Sequence, residues 1–159
     1  MKKQIETEIE INASAATVWS ILTDFAAHPT WNPFVKEISG TPKVGERLRV
    51  FIQPVGGKGM VFKPTVIRAE EGRELRWLGR LLIPGIFDGE HFFRIEPISD
   101  GRVRFVHGEI FSGVLVGLFA KSLDTGTASG FRAMNEALKK RAEEGTAEPA
   151  QAAGGARAD

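Results

Sequence analysis

INASAATVWSILTDFAAHPTWNPFV, from Ile11 to Val35, carries the end of a strand, a helix and a connector of unusual composition. Asn12-Ala13-Ser14 offers a cap, and Val18, Trp19, Ile21, Leu22 and Phe25 recur behind it at helical spacing. Ser14 is the expected N-cap, with Thr17 where a full capping box has Glu or Gln. Pro29 is expected to end the helical run, and together with Pro33 it confines any second helix to about a turn around Ala26 to Trp31. Pro33 also forces Asn32 extended, which lets Trp31 and Phe34 turn inward. Two aromatics in a connector that could have been polar imply an apolar surface for them to face.

Upstream, Gln4 to Ile11 alternates strictly, with Ile5, Thr7, Ile9 and Ile11 on one face and Glu6, Glu8 and Glu10 on the other. That period of two marks a half-buried strand. Downstream, strand follows strand, punctuated by Gly and Pro. Val35 to Ser39 is short, and Arg47 to Gln53 places Leu48, Val50 and Ile52 on one face. Gly56-Gly57-Lys58-Gly59 reads as a hairpin tip, since no helix follows to make it a phosphate loop. Met60 to Glu70 contains Pro64, a sign of an edge or a bulge. Glu74 to Leu82 sets Leu75, Trp77, Gly79 and Leu81 on one face. Phe87 to Pro97 and Arg102 to Phe111 form a last pair turning at Ser99-Asp100-Gly101. From Val114 to about Arg141 the period becomes helical, with Phe119, Leu123, Thr127, Gly130, Met134 and Leu138 on one stripe. Residues 1–143 read as one domain, and 144–159, rich in Ala and Gly, as a disordered tail. One long helix beside so many antiparallel strands can cover them only if the sheet curves around it, an α+β arrangement.

Composition narrows the function. A chain of 159 residues with 42% hydrophobic content and a formal net charge of +1 fits one domain with a core. That balance gives no reason to expect nucleic acid as a partner. No cysteine is present, so thiolate chemistry is excluded. No leader is evident in MKKQIETEIE, and the longest uncharged apolar stretch, Ile110 to Ala120, is far below the roughly 20 residues of a spanning helix. A cytoplasmic protein without stable membrane insertion, monomeric or weakly dimeric, is the expectation. Eleven Phe and three Trp stand beside no Tyr, which suits an apolar interior without hydroxyls to satisfy.

In this order of elements, and in the stretches INASAATVWSILTDFAAHPTWNPFV and RVRFVHGEIFSGVLVGLF, the chain resembles the START-like (SRPBCC) superfamily. Its helix-grip fold is a curved antiparallel sheet of six to seven strands around a C-terminal helix, with two short helices after the first strand. Lys3 to about Ala142 is covered, and the front stretch is similar to the bacterial polyketide cyclase/dehydrase-like branch. The resemblance implies an apolar cavity between sheet and helix, with the connector at its mouth. Lipid carriers, receptors and cyclases all use this fold, so it leaves the chemistry open.

The strand from Arg102 to Phe111 has the most to say about chemistry. Val103, Phe105, His107, Glu109 and Phe111 share the face that points inward, so His107 and Glu109 lie roughly 6.5–7 Å apart along the strand in apolar surroundings. Such a pair can serve as acid and base or can anchor the polar end of a ligand. His91, in phase with Phe93, belongs to the neighbouring strand, across from the His107 region if the register allows. A metal reading of His91, His107 and Glu109 lacks a tight ligand motif and is set aside, and no cofactor is expected. Trp19, Trp31, Phe34, Trp77, Gly79, Phe93 and Phe105 are the expected walls, with Phe119, Leu123, Thr127, Gly130 and Met134 on the helix. Trp31 serves equally as a plug of the core. The small residues Gly126, Thr127 and Gly130 leave space for a ligand or simply let the helix approach the sheet. Leu81 to Phe87 is an apolar loop, read as a gate, with a docking surface for a protein partner as its rival. Asp24 and His28 read as helix-end residues.

The expected function is therefore binding of a small, mostly hydrophobic molecule, such as a lipid, polyketide or isoprenoid-like compound. The alternatives are a cofactor-free cyclase or dehydratase using His107 and Glu109, and an interaction module docking through residues 81–87.

Overall fold

A computed structural model describes residues 1–146 of the chain. The order is β1 (Lys2–Ile11), α1 (Ala15–Thr23), a 3-10 turn (Phe25–Ala27), α2 (His28–Trp31), β2 (Val35–Ser39), β3 (Arg49–Ile52), β4 (Met60–Phe62), β5 (Thr65–Glu70), β6 (Glu74–Leu81), β7 (Phe87–Ser99), β8 (Arg102–Ser112) and α3 (Val116–Thr146). This is the expected α+β class. Five strands form one antiparallel sheet in the order β1-β8-β7-β6-β5, and β2-β3-β4 form a second. Pro64, which has no N–H for a ladder, stands between β4 and β5 and divides the single run expected there. Backbone bonds from Leu48 N to Pro64 O and from Val66 N to Glu46 O, each 2.8 or 2.9 Å, tie the two sheets together at that break.

Alternation decides which side of the large sheet is covered. Ile5, Thr7 and Ile11 of β1, Leu75 and Trp77 of β6, and Val103, Phe105, His107 and Phe111 of β8 are buried beneath α3. The helix answers with Phe131, Met134, Leu138 and Ala142, all fully buried. Phe92 is buried on the opposite face, where its ring fills the space above Gly108. The Arg76 and Arg94 guanidinium carbons cover that ring, 4.9 and 5.1 Å from its centre.

The connector resolves into a turn held by its own side chains. Ser14 caps α1 as expected, accepting from Thr17 N at 3.1 Å. Pro29 does not end a helix but starts one: it lies in the first turn of α2, where a missing N–H costs nothing. Asn32 ends that turn in extended conformation, and its Oδ1 accepts from Phe34 N and Val35 N at 3.0 and 2.9 Å. Its amide nitrogen contacts His28 Nδ1 at 3.2 Å, and His28 Nε2 donates to the Leu22 carbonyl at 2.8 Å. Phe34 is thereby aimed at α3, edge-on to Phe131 at 5.5 Å and flat over Gly130. Trp31 stays half-buried beside the His28 ring, its indole nitrogen without a hydrogen-bond partner among the described residues.

The last helix extends through Thr146, so the boundary expected at residue 143 falls inside it. The rest of the expected tail, 147–159, lies outside the described residues.

A Cβ at Gly130 would overlap the Phe34 ring. Gly130→Ala is therefore expected to lower stability by about 1–3 kcal/mol through overpacking, despite the gain of about 1 kcal/mol in helix propensity. The urea midpoint measures it, and an unchanged or raised midpoint would mean that Phe34 moves aside freely.

Candidate functional site

The β7–β8 register brings the inward polar residues together. His91 stands opposite Glu109 and Phe93 opposite His107, while Trp77 of β6 completes the His91 row. The two imidazoles meet diagonally, Nε2 to Nε2, at 2.8 Å. His91 Nδ1 lies 3.5 Å from a Glu109 carboxylate oxygen. His107 Nδ1 lies 3.0 Å from Asn135 Oδ1, and Asn135 Nδ2 donates to Thr7 Oγ1 at 2.9 Å. The hydroxyl of Thr7 donates to the His107 carbonyl at 3.2 Å. A continuous polar chain thus runs from Glu109 through His91, His107 and Asn135 to Thr7.

His107 and Glu109 were expected side by side on the inner face, as acid and base or as an anchor for a ligand. Among the described residues no hydrogen bond or ion pair joins them, and His91 stands between. The His91–His107 contact also closes the space a bridging ion would need, and no group of three metal-binding side chains exists among the described residues.

Apolar rings enclose both imidazoles. Phe131 stacks on His107 at 4.0 Å, Trp77 stacks on His91 at 5.1 Å, and Phe93 lies 4.7 Å from His107. Burial pushes the His107 imidazole well below its usual value, and the neighbouring His91 adds to the effect. The Asn135 amide and the Phe131 carbonyl pull weakly the other way. His28 is lowered for the same leading reason, desolvation, opposed by its bond to the Leu22 carbonyl and by Asp24.

The interior has two ends. At one, Phe34, Phe93, Phe105, Phe131 and Met134 pack together without exposure above a few per cent. At the other, Glu109 reaches solvent from the inner face, its side chain 19% exposed. Beside it Gly79 pairs with Gly89 across the sheet, so this part of the floor carries no side chains of its own. The Glu109 carboxylate leans over Gly89, while a Cβ at Gly79 would meet only ordinary contacts, at 3.8 Å from Pro64 and 3.9 Å from Gly89 O. Gly126 likewise faces open space. Leu123 and Thr127 are half-buried around this end, and Phe119 is partly exposed, its ring 5.9 Å from Phe87; Trp19 of α1 is half-buried against the core. The loop after β6 borders it. Leu82 and Ile83 are 81% and 63% exposed, while Gly85 and Ile86 accept from Val114 N and Leu115 N at the start of α3.

Of the expected walls, then, Trp77, Gly79, His91 and Glu109 gather at the accessible end with Phe119, Leu123 and Thr127. Phe34, Phe93, Phe105, Gly130 and Met134 belong to the packed end, with His107 at the junction. Asn135, Thr7 and Phe131 complete the site and had not been singled out for it. Asn135 follows Phe131 by one turn, and a polar residue one turn along an apolar stripe is the signal that marks it.

The family model described as "Polyketide cyclase / dehydrase and lipid transport" matches residues 2–143. The chain belongs to that family. Solved structures share the fold at low identity. A START superfamily protein from Mycobacterium smegmatis is 24% identical, with a TM-score of 0.68 over 89% of this chain and 97% of its own. The Zhui aromatase/cyclase from Streptomyces sp. R1128 is 18% identical, with a TM-score of 0.68 over 98% and 100%. Norcoclaurine synthase from Thalictrum flavum, in complex with dopamine and hydroxybenzaldehyde, is 18% identical, with a TM-score of 0.69 over 91% and 88%. No curated protein matches at a significant level. No helix among the described residues is long and apolar enough to cross a membrane.

The buried His107 makes a pH prediction. Its folded form resists the proton that the unfolded chain accepts below about 6.5. The unfolded state thus binds more protons, and stability falls as pH drops below that value, by up to about 1.4 kcal/mol per pH unit for each such group. His107→Gln is expected to flatten the slope of stability between pH 6.5 and 5.5. A slope equal to that of the unsubstituted protein would mean that His107 is protonated when folded.

Proposed function

We propose that this protein binds a small, mostly apolar molecule at the accessible end of its interior, with Glu109 holding the polar part of that molecule. The observation that carries the reading is Glu109 itself: one carboxylate on an apolar inner face, open to solvent, beside the bare floor of Gly79 and Gly89. Buried apolar area would supply the affinity and Glu109 the orientation. The family description, which names lipid transport as well as cyclase and dehydrase activity, supports a ligand of this class. So does the neighbour solved with dopamine and hydroxybenzaldehyde, two small molecules of mixed character.

A second reading, a cyclase or dehydratase, is favoured by the 3.5 Å approach of His91 to Glu109, which gives the carboxylate a partner for proton exchange. In that case Glu109→Gln keeps binding and loses turnover, and a bell-shaped pH–rate profile disappears with it.

The binding reading is tested by mass spectrometry of an organic extract, wild type beside Gly79→Leu. Gly79 has room for a side chain and no positive φ, so the variant is expected to fold while filling the floor. A molecule rich in hydrocarbon with at least one oxygen, recovered from wild type and missing from the variant, is the expected result. An empty wild-type extract, together with equal uptake of an apolar fluorophore by both proteins, would contradict it.

A further inference from the structure

The protons of the buried polar chain are assigned from its Thr7 end. The His107 carbonyl can only accept, so Thr7 donates its hydroxyl proton there across 3.2 Å. The Thr7 oxygen is then the acceptor for Asn135, at 2.9 Å. The amide nitrogen of Asn135 must face Thr7, which turns its oxygen towards His107 Nδ1 at 3.0 Å. An oxygen acceptor there fixes a proton on Nδ1. His107 is fully enclosed by apolar rings and stays neutral, so its Nε2 keeps a lone pair. The 2.8 Å contact then requires His91 Nε2 to donate. What is left is His91 Nδ1, 3.5 Å from Glu109.

We propose that Thr7 and Asn135 are positioning residues which, acting through His107, hold the His91 ring with its proton on Nε2, so that the lone pair of Nδ1 stands beside Glu109. Glu109 then meets a ligand as one acceptor with a second, His91 Nδ1, beside it. This deepens the binding reading by stating what Glu109 offers, yet it is a property of the ligand-free protein. Among the described residues, the other side chains set against the imidazoles are rings. Trp77 of β6, Phe93 of β7 and Phe131 of α3 present rings to the imidazoles. Asp88 and Glu90 flank Gly89 on the opposite phase of β7 and are engaged by Arg80 and Arg76. Asn135 and Thr7 also border a groove of about 320 Å³ between β1 and α3, so the far end of the chain lies close to solvent.

The test is a long-range 1H–15N spectrum of the ligand-free full chain, labelled with 15N-histidine, near pH 7. His107 is expected as the Nδ1–H tautomer and His91 as the Nε2–H tautomer; a doubly protonated His91 would contradict the lone pair at Nδ1. Asn135→Leu is expected to loosen the lock and give both tautomer patterns at His107 and His91, since the Phe131 carbonyl remains beside the ring. Thr7→Val frees the amide to turn and is expected to give both His107 patterns. Wild-type His107 as Nε2–H beside His91 as Nδ1–H would overturn the proposal, because the chain would then run the other way, with His91 Nδ1 donating towards Glu109. That result needs no variant and is independent of any ligand. His107 unchanged in a folded Asn135→Leu protein, or unchanged in Thr7→Val, would remove the positioning role of that residue.

Discussion

Burying His107 constrains everything around it. An imidazole enclosed by Phe131, Phe93 and Phe34 must find partners for both nitrogens or forfeit about 1–3 kcal/mol for each one left unmet. Asn135 on α3 and His91 on β7 supply those partners, and Thr7 on β1 holds Asn135. Four elements are thereby fixed in a register that apolar packing alone would leave free to slide. The Phe34–Gly130 contact depends on the same alignment, since a helix displaced by one residue would bring a Cβ under the Phe34 ring.

The division of the interior follows from where side chains are missing. Gly130 is small because a neighbouring ring occupies its space, whereas Gly79 and Gly126 are small and leave theirs open. The same residue type thus closes one end and opens the other. Glu109 lies at the boundary, close enough to His91 to share its chemistry and exposed enough to be reached from outside. The family description spans lipid transport and cyclase or dehydrase activity, and the fold alone does not choose between them.

Much of the fold was legible from alternation. The faces of β1, β3, β6 and β8 follow from period two, and the cap at Ser14 follows from its side chain. Pro64 signalled an interruption but not that the chain would change sheets there, since that depends on partners distant in sequence. Pro29 was misread as an ending because a proline is tolerated at the start of a helix as readily as beyond its end. The site was legible in part. His107 and Glu109 were placed inward correctly by phase, but phase does not give register. A bulge between Pro97 and Ser99 puts His91 opposite Glu109 and leaves His107 opposite Phe93. Asn135 escaped notice because a lone amide in a helix reads as solvent-facing until a buried partner is known.

The central claim is an interior closed at one end and accessible at the other. Methyl 1H–13C spectra during titration with 2-naphthol, an aromatic ring with one hydroxyl, test it most directly. The account predicts saturable shifts at Leu115 and Leu123 near the accessible end, and none at Leu22 or Leu138 in the packed core. Shifts confined to Ile9 in the outer groove, or spread through the packed core, would contradict it.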